Sequence, residues 1–173
     1  MIDIGVSSFK IEGRMRSPFY LATVLSSYRR IIDAIYDNTL TEKILEREVK
    51  ILARVSNREN STHFYNHYAN FSDQYYLGRQ EVSNQDYLGV VLEKIDNNLY
   101  KIKQRNYFKV GDNIEVITPN MDILNVTIDN LYDENRDEIE IANQADATLF
   151  IKIDYDLPML SMLRKKYLDE NIN

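Results

Sequence analysis

Residues 87–104 read YLGVVLEKIDNNLYKIKQ, and this stretch decides how the second half of the chain folds. Apolar and polar side chains alternate on both sides of Asp96-Asn97-Asn98, a run of residue types that favours tight turns. Alternation with a period of two is typical of half-buried strands. The stretch therefore predicts a β-hairpin.

The same alternation continues to about residue 153, with turn signals such as Gly111-Asp112 and Pro119-Asn120 between the runs. We predict strands over 88–95, 99–104, 113–118, 123–128, 138–141 and 148–153. Six short strands in about seventy residues predict a small antiparallel barrel or sandwich, and we favour the barrel. A final helix is expected over Leu157–Leu168.

The first half of the chain has a helical pattern. Ser17 suits a helix N-cap and Pro18 the first helical position. Thr39 and Glu42 have capping-box spacing, which predicts a second helix that ends near residue 56. Before the first helix, Ser8–Ile11 alternates and predicts a buried strand, so strand and helix together form half of a βαβ unit. The apolar stripe expected on the first helix comprises Leu21, Val24, Leu25, Tyr28, Ile31, Ile32 and Ile35.

Charge divides the 173-residue chain near residue 80. Residues 1–80 carry 11 basic and 9 acidic side chains, a net charge of +2, whereas residues 81–173 carry 10 and 18, a net charge of −8. The net negative charge of the second half disfavours nucleic-acid binding over its whole surface, because phosphate backbones repel it. A local basic patch could still exist there. We expect domains over 1–80 and 81–173, and an irregular aromatic connector over 56–86.

Composition excludes several kinds of site. The chain has no cysteine, which excludes disulfides, thiolate metal sites and a cysteine nucleophile. His63 and His67 have the i, i+4 spacing of a helical metal site, but lack the HExxH context, and two surface histidines are the favoured interpretation. We therefore predict no metal and no cofactor. No apolar run reaches the ~20 residues of a membrane helix and no signal peptide is evident, so a cytoplasmic chain is expected.

Lys10, Glu12 and Arg14 are the candidate site residues of the first half. Side chains two apart share one face of a strand, so a cation, an anion and a cation would point together. The cations could bind a carboxylate or phosphate, next to a helix N-terminus that also favours anions. Glu12 could act as a base or orient a ligand. The alternative is a local salt-bridge cluster that fixes a loop.

Two further groups are candidates for binding. Asn57 and Arg58 follow the second helix and could complete an anion pocket beside Arg14, or could simply form an ordinary C-cap. Gln104 to Asn106 lies between a strand and a turn and could contact RNA, as small barrels often do. A structural turn is the favoured interpretation of that second group, because its surroundings are acidic.

Four segments resemble peptidase family U32, the collagenase-like peptidases. Residues 5–18 read GVSSFKIEGRMRSP, which is similar to the segment with which the family closes its barrel domain. Residues 28–34 (YRRIIDA) and 55–58 (VSNR) resemble the segments that follow it. Residues 104–115 (QRNYFKVGDNIE) resemble part of the family's C-terminal β-domain.

The resemblance implies an α+β fold in two parts. Residues 1–80 would be the terminal strand and helices of a truncated TIM-like barrel, and residues 81–173 a small antiparallel β-barrel with a final helix. Glu12 would be the catalytic residue, and Lys10, Arg14, Asn57 and Arg58 would bind substrate. The missing part of the barrel, or another protein, is the implied partner, and no membrane is involved.

Three functions remain open from the sequence. The first is the C-terminal fragment of a collagenase-like peptidase, inactive alone and acting on peptides when complete. The second is a component of a tRNA hydroxylation protein of the same family, with RNA as substrate. The third is a non-catalytic module that binds a protein partner, or a remnant without activity.

Overall fold

The structure is a computed structural model that describes residues 1–55, 67, 68, 70, 71, 86–120 and 122–166. The chain divides into two compact units, Met1–Asn84 and Gln85–Asn173. Most of the connector predicted over 56–86 lies outside the described residues.

The first unit contains a short 3₁₀ helix, Ile2–Ile4, and two α-helices, α1 (Pro18–Tyr36) and α2 (Glu42–Arg54). Both helices are confirmed, and Ser17 caps α1 by accepting a hydrogen bond from the Tyr20 backbone N–H at 3.1 Å. The predicted capping box is wrong, because Thr41 caps α2 by accepting from the Ile44 N–H at 3.2 Å. Thr39 instead ends α1, where its N–H donates to the Ala34 carbonyl at 2.9 Å.

A buried ion pair joins α1 to α2. The Arg30 guanidinium donates through Nε and Nη2 to the two carboxylate oxygens of Glu48, at 2.9 and 2.8 Å. The Glu48 side chain is only 1% exposed. Around the pair, α1 presents small residues to its interior side, among them Ser27 and Ala34. A two-pronged charged contact therefore joins the two helices.

The apolar stripe predicted on α1 is mostly not buried. Leu25 is 51% exposed, Tyr28 46% and the following Tyr36 68%. Val24 is the one member of the predicted stripe that is fully buried. Phe19 is also buried, and Leu21, Ile31, Ile32 and Ile35 are half-buried. The helix thus buries part of its apolar side and leaves another part exposed at Leu25, Tyr28 and Tyr36.

The second unit is all β in its described part. Its strands are β1 (Tyr87–Lys94), β2 (Leu99–Gln104), β3 (Phe108–Lys109), β4 (Asn113–Ile117), β5 (Ile123–Thr127), β6 (Leu131–Tyr132), β7 (Ile141–Ala142), β8 (Thr148–Lys152) and β9 (Met162–Lys165). The hairpin of β1 and β2 is confirmed, with Val90 opposite Lys103. The run predicted over 138–141 is reduced to β7, which pairs with β3.

Seven of these strands form one antiparallel sheet in the order β5-β4-β9-β1-β2-β8-β6, and β3 and β7 form a second sheet. Only three residues, 128–130, connect β5 to β6, although these strands are the two edges of the large sheet. Extended chain spans at most ~3.6 Å per residue, so the edges approach within about 14 Å. The sheet therefore curls into a half-barrel, which confirms in part the small antiparallel barrel that was predicted.

One apolar cluster fills the concave side of the curled sheet. Leu88, Tyr100, Ile102, Ile151 and Leu163 are at most 1% exposed and belong to it. On the other face, Arg164 of β9 lies opposite Glu115 of β4, and its Nε donates to Glu115 Oε2 at 2.8 Å. Both side chains are buried, so this pair fixes the register of two central strands.

Two predicted elements are wrong. Residues 157–166, the described part of the predicted helix Leu157–Leu168, do not form a helix; Met162–Lys165 is strand β9, inserted between β4 and β1. Both neighbours offer backbone hydrogen bonds there, and this tertiary pairing overrides the local preference. Ser8–Ile11 forms no strand. A strand needs a partner, and the described residues of the first unit contain none.

Candidate functional site

The loop before α1 carries the three candidate residues of the first unit. Lys10, Glu12 and Arg14 are all exposed and lie in irregular backbone. The Arg14 N–H donates to Glu12 Oε1 at 2.6 Å, which ties the carboxylate to the loop itself. A Cβ on Gly13 would lie 2.1 Å from Leu21 Cδ2, so the loop packs closely on the first turns of α1.

This arrangement differs from the strand geometry that was predicted. The structure brings Glu12 and Arg14 together through the loop hydrogen bond. Lys10 instead lines a groove of about 550 Å³ along α1, which neither Glu12 nor Arg14 lines. The groove is walled by the N-terminal residues and by Leu25 and Tyr28. The loop therefore places the Glu12 carboxylate against the Arg14 backbone before α1, while Lys10 lies beside an apolar groove.

Three further candidates of the first half lie outside the described residues. They are Asn57, Arg58 and His63, and their placement stays a prediction. His67 is described and exposed. In the part of the chain that the structure describes, no three His, Asp or Glu side chains converge as metal ligands. Over the same part, neither helix is long and apolar enough to cross a membrane.

The Gln104 to Asn106 segment is used within its own unit. The Gln104 side chain is buried and its Nε2 donates to the Asn106 carbonyl at 3.1 Å. Asn106 Nδ2 donates to the Tyr87 carbonyl at 2.7 Å, and Arg105 pairs with Asp146 at 2.6 Å. These contacts fit the favoured interpretation of a structural turn.

A second group of cations escaped the sequence analysis. We call Lys101, Lys103, Lys152 and Arg136 the basic face. The lysines lie on β2 and β8, where they alternate with the core residues Ile102 and Ile151 and so point away from the core. The signal in the sequence was the alternation of lysine with apolar residues in LYKIKQ, which was used only to predict a strand.

The two units define an α+β protein with a helical first unit and a β-sheet second unit. Residues 1–75 match peptidase family U32, and residues 83–164 match the peptidase family U32 C-terminal domain. The two matches are consecutive and together span most of the chain. The chain therefore belongs to peptidase family U32.

Curated relatives of this chain carry two kinds of name. "tRNA hydroxylation protein P1" of Bacillus subtilis is 32% identical over 166 residues, which cover 95% of this chain and 39% of that protein. A "Collagenase" of Porphyromonas gingivalis is 40% identical over 80 residues, which cover 46% of this chain and 17% of that protein. The chain thus spans about two fifths or less of the length of these relatives.

A solved structure also matches. It is the C-terminal domain of a Geobacillus thermoleovorans protein assigned to the U32 peptidases, with 26% identity and a TM-score of 0.44. The match covers 46% of this chain and 99% of that domain.

Proposed function

We propose that this chain is the C-terminal region of a U32 protein that hydroxylates tRNA, and that it is inactive without the rest of that protein. Residues 1–80 would supply the last part of a TIM-like barrel, and the second unit would be an appended β-module. The missing barrel portion is the partner in this proposal, and the tRNA substrate places the protein in the cytoplasm.

The observation that carries the proposal is the exposed part of the apolar side of α1. Leu25, Tyr28 and Tyr36 are each about half or more exposed, and a groove runs beside them. Large apolar surfaces of this kind mark contacts with other protein surface. In barrels of alternating strands and helices, each helix packs its apolar side on the sheet, so a sheet is the natural occupant.

The choice of tRNA over peptide follows from the extent of the resemblance. The tRNA hydroxylation relative matches across both units, whereas the collagenase match covers under half of the chain. Within the loop before α1, Arg14 and Lys10 would bind an anionic group of the substrate, and Asn57 and Arg58 would add to that pocket. Glu12 would orient the substrate or accept a proton.

The test uses this chain and the preceding region of the Bacillus subtilis relative, produced together as separate polypeptides. We expect the two to co-purify and to restore a one-oxygen mass increase in tRNA nucleosides, in cells that lack the relative. Glu12→Gln or Arg14→Gln should keep the association and lower hydroxylation at least tenfold. Tyr28→Asp should abolish the association by placing a charge in the apolar contact.

Matched controls separate these effects from general damage. Lys50→Gln removes an exposed charge of α2, and Val49→Asp adds a charge at a 55% exposed position of the same helix. Both should leave association and hydroxylation unchanged. Association without any hydroxylation by the unsubstituted pair would contradict the tRNA proposal. Equal effects of Tyr28→Asp and Val49→Asp would contradict the docking of α1.

A collagenase-like peptidase is the second candidate, and the 40% identity over 80 residues favours it. The same two-polypeptide preparation distinguishes the candidates, because a peptidase releases new amino termini from denatured collagen. Cleavage that is lost in Glu12→Gln, without any change in tRNA, would select this candidate. A protein-binding module without catalysis would show neither activity.

A further inference from the structure

The outer face of strands β2, β8 and β6 concentrates positive charge in a unit that is otherwise acidic. The basic face consists of Lys101 and Lys103 of β2, Lys152 of β8, and Arg136 from the turn after β6. Residues 81–173 carry a net charge of −8. Among the described residues, none of these four cations takes part in an ion pair.

Strand register gathers these side chains in one row. Lys101 of β2 lies opposite Phe150 of β8, and Phe150 lies opposite Tyr132 of β6. Side chains that alternate with core residues share the outer face, so the row runs across three neighbouring strands. Lys103 is two residues along β2 from Lys101, about 7 Å at the rise of an extended strand.

Aromatic rings position two of the cations. The Arg136 guanidinium lies 3.7 Å from the centre of the Phe150 ring, and Lys152 Nζ lies 5.7 Å from that of Tyr132. Such contacts orient a cation without neutralising its charge. The Asp133 carboxylate helps to hold the turn that carries Arg136, since it accepts from the backbone N–H groups of Asn135 and Asp137 at 2.8 and 3.0 Å.

The lysines on the strands of the basic face outnumber the acidic residues paired with them. Among the register partners of Lys101, Lys103 and Lys152, Glu93 opposite Lys101 is the only acidic residue. Further acids lie nearby, since the turn that carries Arg136 also carries Asp133, Glu134, Asp137 and Glu138, and Lys103 lines a pocket with Asp133 and Glu134. The excess of positive charge is therefore confined to the strands, which favours an anionic ligand that contacts this face rather than one that surrounds the acidic unit.

We propose that the basic face binds the phosphodiester backbone of RNA. The proposal rests on the proposed function for the choice of RNA among polyanions. The Phe150 and Tyr132 rings orient the Arg136 and Lys152 side chains. Phe150 is only 7% exposed, so its ring is not open for stacking on a base. Contacts to backbone phosphates through lysine and arginine carry no base specificity, so this face would hold RNA without selecting its sequence.

The test measures binding of unmodified tRNA to the 173-residue chain by fluorescence anisotropy between 50 and 200 mM salt. The triple variant Lys101→Gln/Lys103→Gln/Lys152→Gln should weaken binding at least tenfold. Each lost phosphate contact should also lower the slope of log affinity against log salt by about one. Adding Arg136→Gln should weaken binding further.

The control is Lys109→Gln/Lys165→Gln/Lys166→Gln, which removes the same charge from the same unit at other positions. This variant should bind tRNA within about threefold of the unsubstituted chain. Equal loss in both triple variants, or no tRNA binding at 50 mM salt, would overturn the proposal. So would poly-glutamate that competes as well as RNA at equal charge, since the face would then be a site for acidic polypeptides.

Failure of this inference is distinguishable from failure of the proposed function. If the complete protein hydroxylates tRNA but the triple variant of the basic face binds tRNA normally, only the inference about the basic face is overturned. Binding that depends on the basic face, in a chain whose complete protein never hydroxylates tRNA, would overturn the function and leave the RNA surface standing.

Discussion

At the scale of single residues, Tyr87 at the start of β1 has an altered acidity. Burial raises the pKa of its phenol above the ordinary value of 10.0, while the charge of Arg105 and a hydrogen bond to it act in the opposite direction. Arg105 is held in turn by Asp146 at 2.6 Å. The neutral phenol is thus the form that the folded sheet prefers.

The sign of the pH effect follows from that preference. The unfolded chain loses the Tyr87 proton near pH 10, whereas the folded chain keeps it to higher pH, so stability falls as pH rises above about 10. Tyr87→Phe should lose less stability between pH 9 and 11 than the unsubstituted chain, in urea unfolding monitored by circular dichroism. Tyr107→Phe, at a 50% exposed position, should retain the full loss. Identical pH profiles for all three chains would contradict this assignment.

At the scale of elements, the contact between α1 and α2 includes one buried ion pair, between Arg30 and Glu48. Glu48 is 1% exposed and Arg30 is 22% exposed, so the carboxylate has little access to water once its partner is removed. Arg29, one residue away, pairs with Asp33 on the solvent side, where both side chains are about half exposed. Removing Arg30 should therefore cost more stability than removing Arg29, because only the carboxylate partner of Arg30 is buried.

Arg30→Met should destabilise the first unit by about 3 kcal/mol, because the buried Glu48 carboxylate loses both charge-assisted hydrogen bonds and keeps only Arg47, whose Nε lies 3.9 Å from Oε1. Arg30→Met combined with Glu48→Leu should recover most of that loss, since the charge and its partner are both gone. The measurement is the helical circular dichroism signal during urea unfolding. Arg29→Met is the matched control and should leave the free energy of unfolding nearly unchanged. A double variant no more stable than Arg30→Met would contradict this account.

At the scale of the whole molecule, the extended apolar core belongs to the second unit. All members of the cluster lie between Leu88 and Leu163, and the partly buried residues packed on it lie there too. The sheet curls into a half-barrel whose own strands surround this core. The second unit therefore contains the contacts that an independent small domain needs.

Residues 85–173 produced alone should fold and unfold in one cooperative transition, with dispersed amide resonances in proton–nitrogen spectra. The midpoint in urea should match the β-sheet transition of the whole chain, because the core contacts are all retained. Ile102→Asp, at a fully buried position, should abolish the transition by placing a charge in the core. A fragment without cooperative unfolding would show that the second unit depends on the first.

Much of the local structure was predictable because it depends on neighbours in sequence. Ser17 and Pro18 predicted the start of α1, and LYKIKQ predicted β2 at its observed bounds. The region 157–168 failed because a short apolar run fits a helix or a strand until its neighbours are known. The candidate site was only partly predictable: Glu12 and Arg14 meet, but through a loop hydrogen bond rather than on a strand.

The sequence by itself determined the two helices, most strands of the second half, the division of charge and the likeness to peptidase family U32, since each depends on local period, composition or motif. Only the tertiary structure decided that β9 enters the sheet, that α1 exposes part of its apolar side, and that Lys101, Phe150 and Tyr132 form one row. These features depend on register and packing between residues far apart in sequence, which no local pattern encodes.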